Sequence, residues 1–183
     1  MSFAGGFPVG LSVDWHAPNT ISIPDAYLKN WLLDTGSLTE RVQSLCHQFS
    51  LTLLGQQTIT PHQNELSLLN RDAEQAFQVR EVLLCGNNTP WVFARSVIPQ
   101  QMVEAELANL GQQPLGKRLF NDARFVRSAF QLCKLCSSSM GYSKAQTLWG
   151  RRSLFTLNNQ KMIVAEVFLP DAPVYDSRYH YEV

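Results

Sequence analysis

The sequence lacks an excess of charge of either sign, because 15 Lys and Arg residues balance 15 Asp and Glu residues among 183. Nucleic-acid-binding domains usually show a basic face or excess, so no nucleic-acid partner is expected. No run reaches the ~18 consecutive apolar residues of a membrane span. The first 28 residues contain no Lys or Arg, so the basic region of a secretory leader is missing. We therefore expect a soluble cytoplasmic protein without membrane insertion.

Cysteine and histidine are also scarce, with four of each scattered along the chain. Because nothing indicates secretion, we predict that the cysteines are thiols. Cys133 and Cys136 form a Cys-x-x-Cys pair, which by itself fits a redox motif or half of a zinc site. The sequence has no second pair, so we favour an insertion whose cysteines fill a small apolar surface. No metal and no cofactor are expected.

Apolar residues make up 45% of the chain, which is enough for the core of one domain of this length. The first twenty residues are rich in Gly and Pro and read as a loose, irregular arm. Ser22 with Asp25, and Ser37 with Glu40, resemble capping boxes and predict two short helices. Residues 100–110 have helical spacing and stop at Gly111.

Two β-hairpins dominate the rest of the pattern. Short runs rich in Val, Ile, Leu and Phe flank clusters of turn residues, as expected for strands joined locally. The pairs are residues 78–85 and 91–98 around the connection 86–90, and residues 147–157 and 161–169 around the connection 158–160. Hairpins with helices gathered elsewhere predict an α+β domain, in which helices pack against an antiparallel sheet.

Three predicted strands each carry a charge inside an apolar run, at Arg80, Arg95 and Glu166. Both faces of the last strand are apolar, and an unpaired buried carboxylate is costly. Two interpretations stay open. The charges pair as a structural network or reach solvent at strand ends, or they line a pocket where an arginine binds an anion and the glutamate meets a hydroxyl group. The basic pairs Lys117-Arg118 and Arg151-Arg152 are predicted to be solvated.

Several segments together resemble the chorismate pyruvate-lyases, a family that acts at the start of bacterial ubiquinone synthesis. The resemblance runs from about Trp31 to Tyr175, and it depends on the number and order of the segments, since no single one is diagnostic. The segments are WLL (31–33), SLTER (37–41), REVLLC (80–85), PW (90–91), RSVIP (95–99), LGQQPLG (110–116), LF (119–120), LWGRRS (148–153) and AEVFLP (165–170).

The resemblance implies a single domain at residues 21–175, in which helical flaps cover a buried ligand site beside the sheet. Residues 1–20 would be an irregular arm and residues 176–183 a tail. The stretch 121–148 is longer than the family pattern and is interpreted as containing an insertion. A monomer is expected.

By matched position, two side chains would form the catalytic and substrate-binding site. Arg80 would bind the ring carboxylate through two parallel hydrogen bonds, and Glu166 would meet the ring 4-hydroxyl. Leu38 and Leu115 would add backbone contacts from the two covering segments. Methionine is usual at the position of Leu38, an exchange that a main-chain contact tolerates. Arg95 is assigned to the second carboxylate or to charge on the departing enolpyruvate.

The implied activity is that of a carbon–oxygen lyase without cofactor, which converts chorismate to 4-hydroxybenzoate and pyruvate. Glu166 either carries a proton or only orients the substrate, because an internal hydrogen transfer would need no protein base. The product keeps both assigned contacts, so slow release and product inhibition are expected. The alternative function is a small-anion sensor, since effector domains of bacterial transcription regulators resemble this fold. An adaptor that docks through the insertion is a third possibility.

Overall fold

The two predicted hairpins form the centre of the sheet. In the computed structural model, which describes residues 3, 5–70, 75–107 and 114–180, each hairpin turns through two asparagines with positive φ, Asn87-Asn88 and Asn158-Asn159. Asparagine tolerates this left-handed backbone, and two such residues suit the tight turns that match strand twist. The first turn is shorter than predicted because Gly86 and Thr89 already pair in the ladder.

Within the described residues, seven strands form one antiparallel sheet. Neighbouring strands follow the order β1-β2-β3-β7-β6, and β4 and β5 both pair with the outer side of β6. The strands are β1 (Phe49–Thr58), β2 (Phe77–Gly86), β3 (Thr89–Pro99), β4 (Val126–Arg127), β5 (Gln131–Cys136), β6 (Thr147–Leu157) and β7 (Gln160–Phe168).

Helices cover both faces of this sheet, as the α+β prediction requires. α1 and α2 pack on one face with the start of β6 and the end of β7, and α4 and α5 continue that layer over Met162 and Val164. α3 packs on the opposite face. The helices are α1 (Ala26–Leu33), α2 (Leu38–Ser44), α3 (Gln63–Leu69), α4 (Gln100–Met102), continued by a π-helical turn at Val103–Leu107, and α5 (Leu115–Phe120).

One helix start was predicted correctly and one was misplaced. Ser37 caps α2 by accepting from the Glu40 backbone N–H. For α1 the predicted cap Ser22 is wrong, because Asp25 is the cap and its Oδ1 accepts from Leu28 N at 2.7 Å. The helix predicted at residues 100–110 is present from Gln100 to Leu107, and its last three residues lie outside the described part.

Strand pairing divides the central side chains into two faces, because paired residues share a face and successive residues alternate. The front face carries the row Arg80, Ser96, Val164 and Ser153, with Glu166 and Arg151 in the next row. The back face carries the row Glu81, Arg95, Ala165 and Arg152. Arg80 and Glu166 therefore point to the same side of the sheet.

The N-terminal segment lies along the back face instead of hanging loose. Leu11 is buried in the back-face cluster. The backbone N–H groups of Val9 and Gly10 donate to Glu81 at 2.6 and 2.9 Å. His16 forms an isolated bridge with Leu132 on β5. The prediction of a loose arm was wrong. The buried Glu81 carboxylate needs hydrogen-bond donors, and the backbone of this segment supplies two of them.

Residues 121–148 contain regular structure that the sequence pattern missed. β4 and β5 extend the sheet past β6, and a 3-10 turn at Ser137–Met140 follows. The four cysteines are free. Cys133 is buried and Cys136 is exposed, so the expected filling of an apolar surface applies to Cys133 alone.

Candidate active site

A cavity of about 240 Å³ lies on the front face, between the apolar layer under α1 and α2 and the one under α4 and α5. One wall is the turn that leads into α2, and the opposite wall is α5 with the loop after it. The floor is the centre of β6 and β7. Its lining includes Thr35, Ser37, Leu38, Gly116, Leu119, Phe125, Arg127, Phe130, Arg151, Ser153, Phe155, Val164 and Glu166.

Glu166 and Arg151 form an ion pair on the cavity floor. They face each other across β7 and β6, and Arg151 Nε donates to Glu166 Oε2 at 2.7 Å. Arg151 Nη1 also donates to the backbone oxygens of Trp31 and Asp34 at 3.0 and 2.8 Å, at the C-terminal end of α1. Arg151 therefore connects the floor of the cavity to the end of α1, directly before the wall segment that starts at Thr35, and it fixes the direction of Glu166.

Arg127 adds a second guanidinium to this cavity. It reaches across from β4, where it pairs with Phe155, and its Nη2 donates to the Thr35 backbone oxygen at 2.5 Å. Its guanidinium carbon lies 4.7 Å from the centroid of the Phe130 ring. Burial and the like charge of Arg151 both lower the pKa of Arg127, because each disfavours the charged form.

Arg80 lies on the same face as Glu166, two strands away and one row along. It is 2% exposed, and its Nη1 donates to Gln56 Oε1 at 2.8 Å. Burial lowers the pKa of Arg80, since the charged form is costly to desolvate. Two strand spacings put the Arg80 and Glu166 strands roughly 10 Å apart. The printed partner of Arg80 lies on β1 and that of Glu166 on β6, and Arg80 is not among the described residues that line the cavity.

The two predicted backbone contacts occupy opposite walls. Leu38 begins α2 and lines the cavity. Leu115 begins α5, is 6% exposed, and packs in the cluster under that helix, while the next residue, Gly116, lines the cavity. The elements that carry these two residues contact each other. Leu38 and Glu166 therefore line one cavity, Leu115 lies next to its lining residue Gly116, and Arg80 shares the sheet face of Glu166.

Arg95 does not belong to this site, which corrects its assignment to the second carboxylate or departing enolpyruvate. It lies on the back face, where its Nε and Nη2 donate to both oxygens of Glu65 at 2.8 and 3.0 Å. Its Nη1 donates to Glu81 Oε1 at 2.8 Å. Arg95 is 1% exposed and saturated by two carboxylates, so for this residue the structural-network interpretation is correct.

The Arg151-Arg152 pair is buried, which corrects the prediction that it is solvated. The exposed fractions are 2% for Arg151 and 6% for Arg152. Arg152 points to the back face, where its Nε donates to Gln131 at 2.8 Å and its guanidinium carbon lies 4.6 Å from the Trp15 ring. Burial lowers the pKa of Arg152 to about 10. Lys117 and Arg118 are exposed on α5 as expected.

The sequence contains a signal that Arg151 and Glu81 are buried polar groups. Arg80-Glu81 and Arg151-Arg152 are adjacent charges inside long apolar strands. Adjacent strand residues point to opposite faces, so two successive charges indicate that both faces bury a polar group. Arg127 and Phe130 gave no such signal, because they lie on short segments whose pairing to β6 is not local.

The described residues form neither a metal-binding cluster nor a membrane-spanning helix. Their His, Cys, Asp and Glu side chains do not gather into a group of three that could hold a metal ion. In the same residues, no helix is long and apolar enough to cross a bilayer. Cys133 lies under Gly150 of β6, and burial raises the pKa of its thiol to about 12.

Comparison with known proteins decides the family. The family model described as "Chorismate lyase" matches residues 11–179. The chain belongs to the chorismate lyase family. One relative, named "Probable chorismate pyruvate-lyase" and found in Pseudoalteromonas atlantica, is 45% identical, and the match covers 94% of this chain and 95% of the relative. A relative of the same name from Shewanella sp. strain ANA-3 is 38% identical, with coverage of 91% and 92%.

Solved structures with a similar fold include domains of transcription regulators. The C-terminal domain of a histidine utilization repressor from Pseudomonas syringae superposes with a TM-score of 0.54 at 9% identity, covering 74% of this chain and 97% of that one. The ligand-binding domain of a GntR-family regulator from Bordetella bronchiseptica gives 0.53 at 14% identity, covering 68% and 86%. At these identities the likeness describes the α+β fold of this chorismate lyase family member and carries no function.

Proposed function

We propose that this protein is a chorismate pyruvate-lyase, which converts chorismate to 4-hydroxybenzoate and pyruvate in the first committed step of ubiquinone biosynthesis. Membership in the chorismate lyase family over residues 11–179 supports this function. The observation that carries it in the structure is the front-face cavity, where a partly buried ion pair and a second arginine meet an aromatic and aliphatic lining. Such a chamber suits a small aromatic anion.

The reaction asks the protein mainly to position and to isolate its substrate. The ether bond at ring C3 breaks, and its electron pair leaves with enolpyruvate. The hydrogen on C4 is lost as a proton, its bonding pair becomes part of the aromatic ring, and the departing enolate takes up a proton at its methylene carbon to give pyruvate. Aromatisation makes the step strongly downhill, so no electron sink is required. Holding one conformer in a water-poor site then supplies most of the acceleration.

Arg80 and Glu166 are proposed as the catalytic pair. Arg80 would bind the ring carboxylate, because a buried guanidinium makes strong paired hydrogen bonds to a carboxylate. Glu166 would contact the 4-hydroxyl at the other end of the ring. Their place on one sheet face, separated by roughly two strand spacings, supports this assignment.

Helices α2 and α5 are proposed as flaps over the bound ring. Leu38 and Leu115 each begin one of these helices, so their backbone groups would contact the ligand from opposite walls. Closure of both flaps excludes water and strengthens the charged contacts inside. Because 4-hydroxybenzoate retains the Arg80 and Glu166 contacts, product release behind the flaps would limit turnover and cause product inhibition.

The decisive experiment is turnover by the purified chain. Chorismate is added without metal or cofactor, and the absorbance of 4-hydroxybenzoate is followed together with pyruvate formation. Equal amounts of both products are expected. The matched control is Arg80→Met, which removes the proposed carboxylate contact and should reduce turnover severely. A wild-type chain that releases neither product contradicts the proposed activity.

The second candidate function is a small-anion-sensing domain without catalysis. The regulators' ligand-binding domains share this fold, which by itself assigns no function, whereas the 45% identity to a probable chorismate pyruvate-lyase favours the enzyme. Binding of 4-hydroxybenzoate without any conversion of chorismate would support the sensor. We further propose that the enzyme acts as a monomer in the cytoplasm.

A further inference from the structure

The proposed substrate carries a carboxylate for which the catalytic pair provides no partner. Chorismate has one carboxylate on the ring and a second on the enolpyruvyl ether, and Arg80 is assigned to the first. Arg95, which the sequence assigned to the second, is saturated on the back face by Glu65 and Glu81. A buried carboxylate without a hydrogen-bonding cation would be strongly disfavoured, so the cavity should contain another cationic partner.

The chemistry of the ring fixes where that partner must lie. The enolpyruvyl ether is attached to C3, and the hydroxyl assigned to Glu166 is attached to the neighbouring C4. The second carboxylate is therefore only a few bonds away from the hydroxyl that Glu166 would contact. The cations of the described cavity lining are Arg127 and Arg151, and Arg151 contacts Glu166 directly at 2.7 Å.

The two guanidiniums converge on one aromatic ring. The guanidinium carbons of Arg127 and Arg151 each lie 4.7 Å from the centroid of Phe130, so less than twice that distance separates them. Two like charges held this close repel each other unless an anion lies between or beside them. Glu166 neutralises one of the two, and it pairs with Arg151.

Arg127 is left with unused donors. A guanidinium has five N–H groups, and within the described residues Arg127 makes one hydrogen bond, to the Thr35 backbone oxygen. No described carboxylate lies within ion-pair distance of it. The remaining acid of the cavity lining, Asp122, pairs with the exposed Arg124 at 2.7 Å. The cavity beside Glu166 thus holds one positive charge more than its own acids neutralise.

From this arrangement we propose that Arg127, assisted by Arg151, forms a second anion subsite that binds the enolpyruvyl carboxylate of the substrate. The inference rests on the proposed function and deepens it. The subsite gives the dianion one contact that the product lacks, because 4-hydroxybenzoate has no second carboxylate for Arg127. Release of pyruvate then removes the contact that distinguishes substrate from product.

The test uses ligands that differ in the second carboxylate alone. 3-(Carboxymethoxy)-4-hydroxybenzoate is an unreactive dicarboxylate, and 4-hydroxy-3-methoxybenzoate replaces its ether-linked carboxylate with hydrogen. Calorimetric affinities are measured for wild type, Arg127→Met and Arg127→Lys. We expect Arg127→Met to lower the affinity for the dicarboxylate about 10- to 100-fold, as for loss of a charged hydrogen bond. The affinity for the methoxy compound should fall less than about threefold. Arg127→Lys, which keeps the charge, should fall between wild type and Arg127→Met.

Arg118→Ala is the matched control, because it removes one exposed positive charge from α5 outside the cavity lining. It should leave the ratio of the two affinities unchanged. Equal weakening of both ligands by Arg127→Met, or weakening of neither, overturns the subsite. These affinities do not need turnover. If the wild-type chain does not convert chorismate, the proposed activity is refuted. If the wild type nevertheless prefers the dicarboxylate and Arg127→Met removes that preference, the subsite is supported.

Discussion

At the scale of single residues, Glu166 meets two demands with one carboxylate. One oxygen accepts from Arg151, which fixes the side chain, and the group still lines the cavity. A residue held by a buried partner is well placed to orient a hydroxyl group. The same contact holds the carboxylate in one direction, which suits a group that positions its ligand. We therefore favour orientation over proton transfer.

Glu166→Gln separates these two roles. The amide keeps the shape and can still contact the 4-hydroxyl, so kcat/KM should fall about tenfold, as expected for loss of a charged hydrogen bond. The pH profile of kcat should keep the shape of the wild-type profile. A loss of about 1,000-fold or more, with disappearance of a limb of the pH profile, would instead identify Glu166 as a general acid or base.

Arg95 is predicted to act on stability alone. Its replacement leaves Glu65 and Glu81, which are 5% and 0% exposed at their side chains, buried without their cation. Arg95→Met should therefore lower the free energy of unfolding by about 3–5 kcal/mol, measured by urea denaturation. The folded fraction should bind 4-hydroxybenzoate with wild-type affinity. Specific loss of affinity in a stably folded variant would contradict this role, and Arg178→Met, at an exposed ion pair, is the control.

At the scale of elements, the residue that caps α2 also lines the wall of the cavity. Ser37 accepts from Glu40 N at 3.3 Å and also lines the cavity, and Leu38 follows it. The helix has seven residues, so its stability depends on this cap and on packing. Loosening α2 should open the wall that covers the ligand.

Ser37→Ala should speed product release. Loss of an N-cap costs about 1 kcal/mol, which corresponds to about a fivefold faster dissociation of 4-hydroxybenzoate if α2 must open first. Stopped-flow mixing with chorismate should show a product burst in wild type and a smaller burst relative to the steady state in the variant. Thr20→Ala, at a polar surface turn away from the cavity, is a control. Absence of a burst in wild type contradicts slow release.

The elements that local pattern could predict are those whose pairing is local. The two hairpins needed nothing beyond their strands and asparagine turns, and α2 carried its cap in the sequence. β4 and β5 were missed because each pairs with β6 after a connection of at least ten residues, and short edge strands have weak patterns. The ligands of Arg95 were likewise unpredictable, since Glu65 comes from α3, which packs on the opposite face from the cavity.

At the scale of the whole molecule, the site lies between two apolar clusters of one sheet face. Ligand that fills this gap bridges the layer under α1 and α2 to the layer under α4 and α5. Binding should therefore stabilise the entire fold and not a single loop. This coupling follows from mass action whenever the folded state alone binds the ligand.

4-Hydroxybenzoate at about 100 times its Kd should add about 2.7 kcal/mol to the free energy of unfolding. For a chain of this length, the melting temperature should rise by about 5 to 10 °C. Differential scanning fluorimetry at several protein concentrations provides the measurement.

The melting temperature without ligand should not depend on protein concentration, as expected for a monomer. A rise with concentration would indicate that association contributes to stability.

Alternation along β2 and β6 places neighbouring charges on opposite faces, with Arg80 and Arg151 on the front face and Glu81 and Arg152 on the back face. Sliding β2 by one position would exchange Arg80 and Glu81 between the two faces. An acid would then enter the chamber meant for an anion, while basic groups would crowd together behind it. The strand register is thus set by electrostatics as well as by apolar packing. A fold with β2 out of register would be less stable even if its apolar side chains stayed buried.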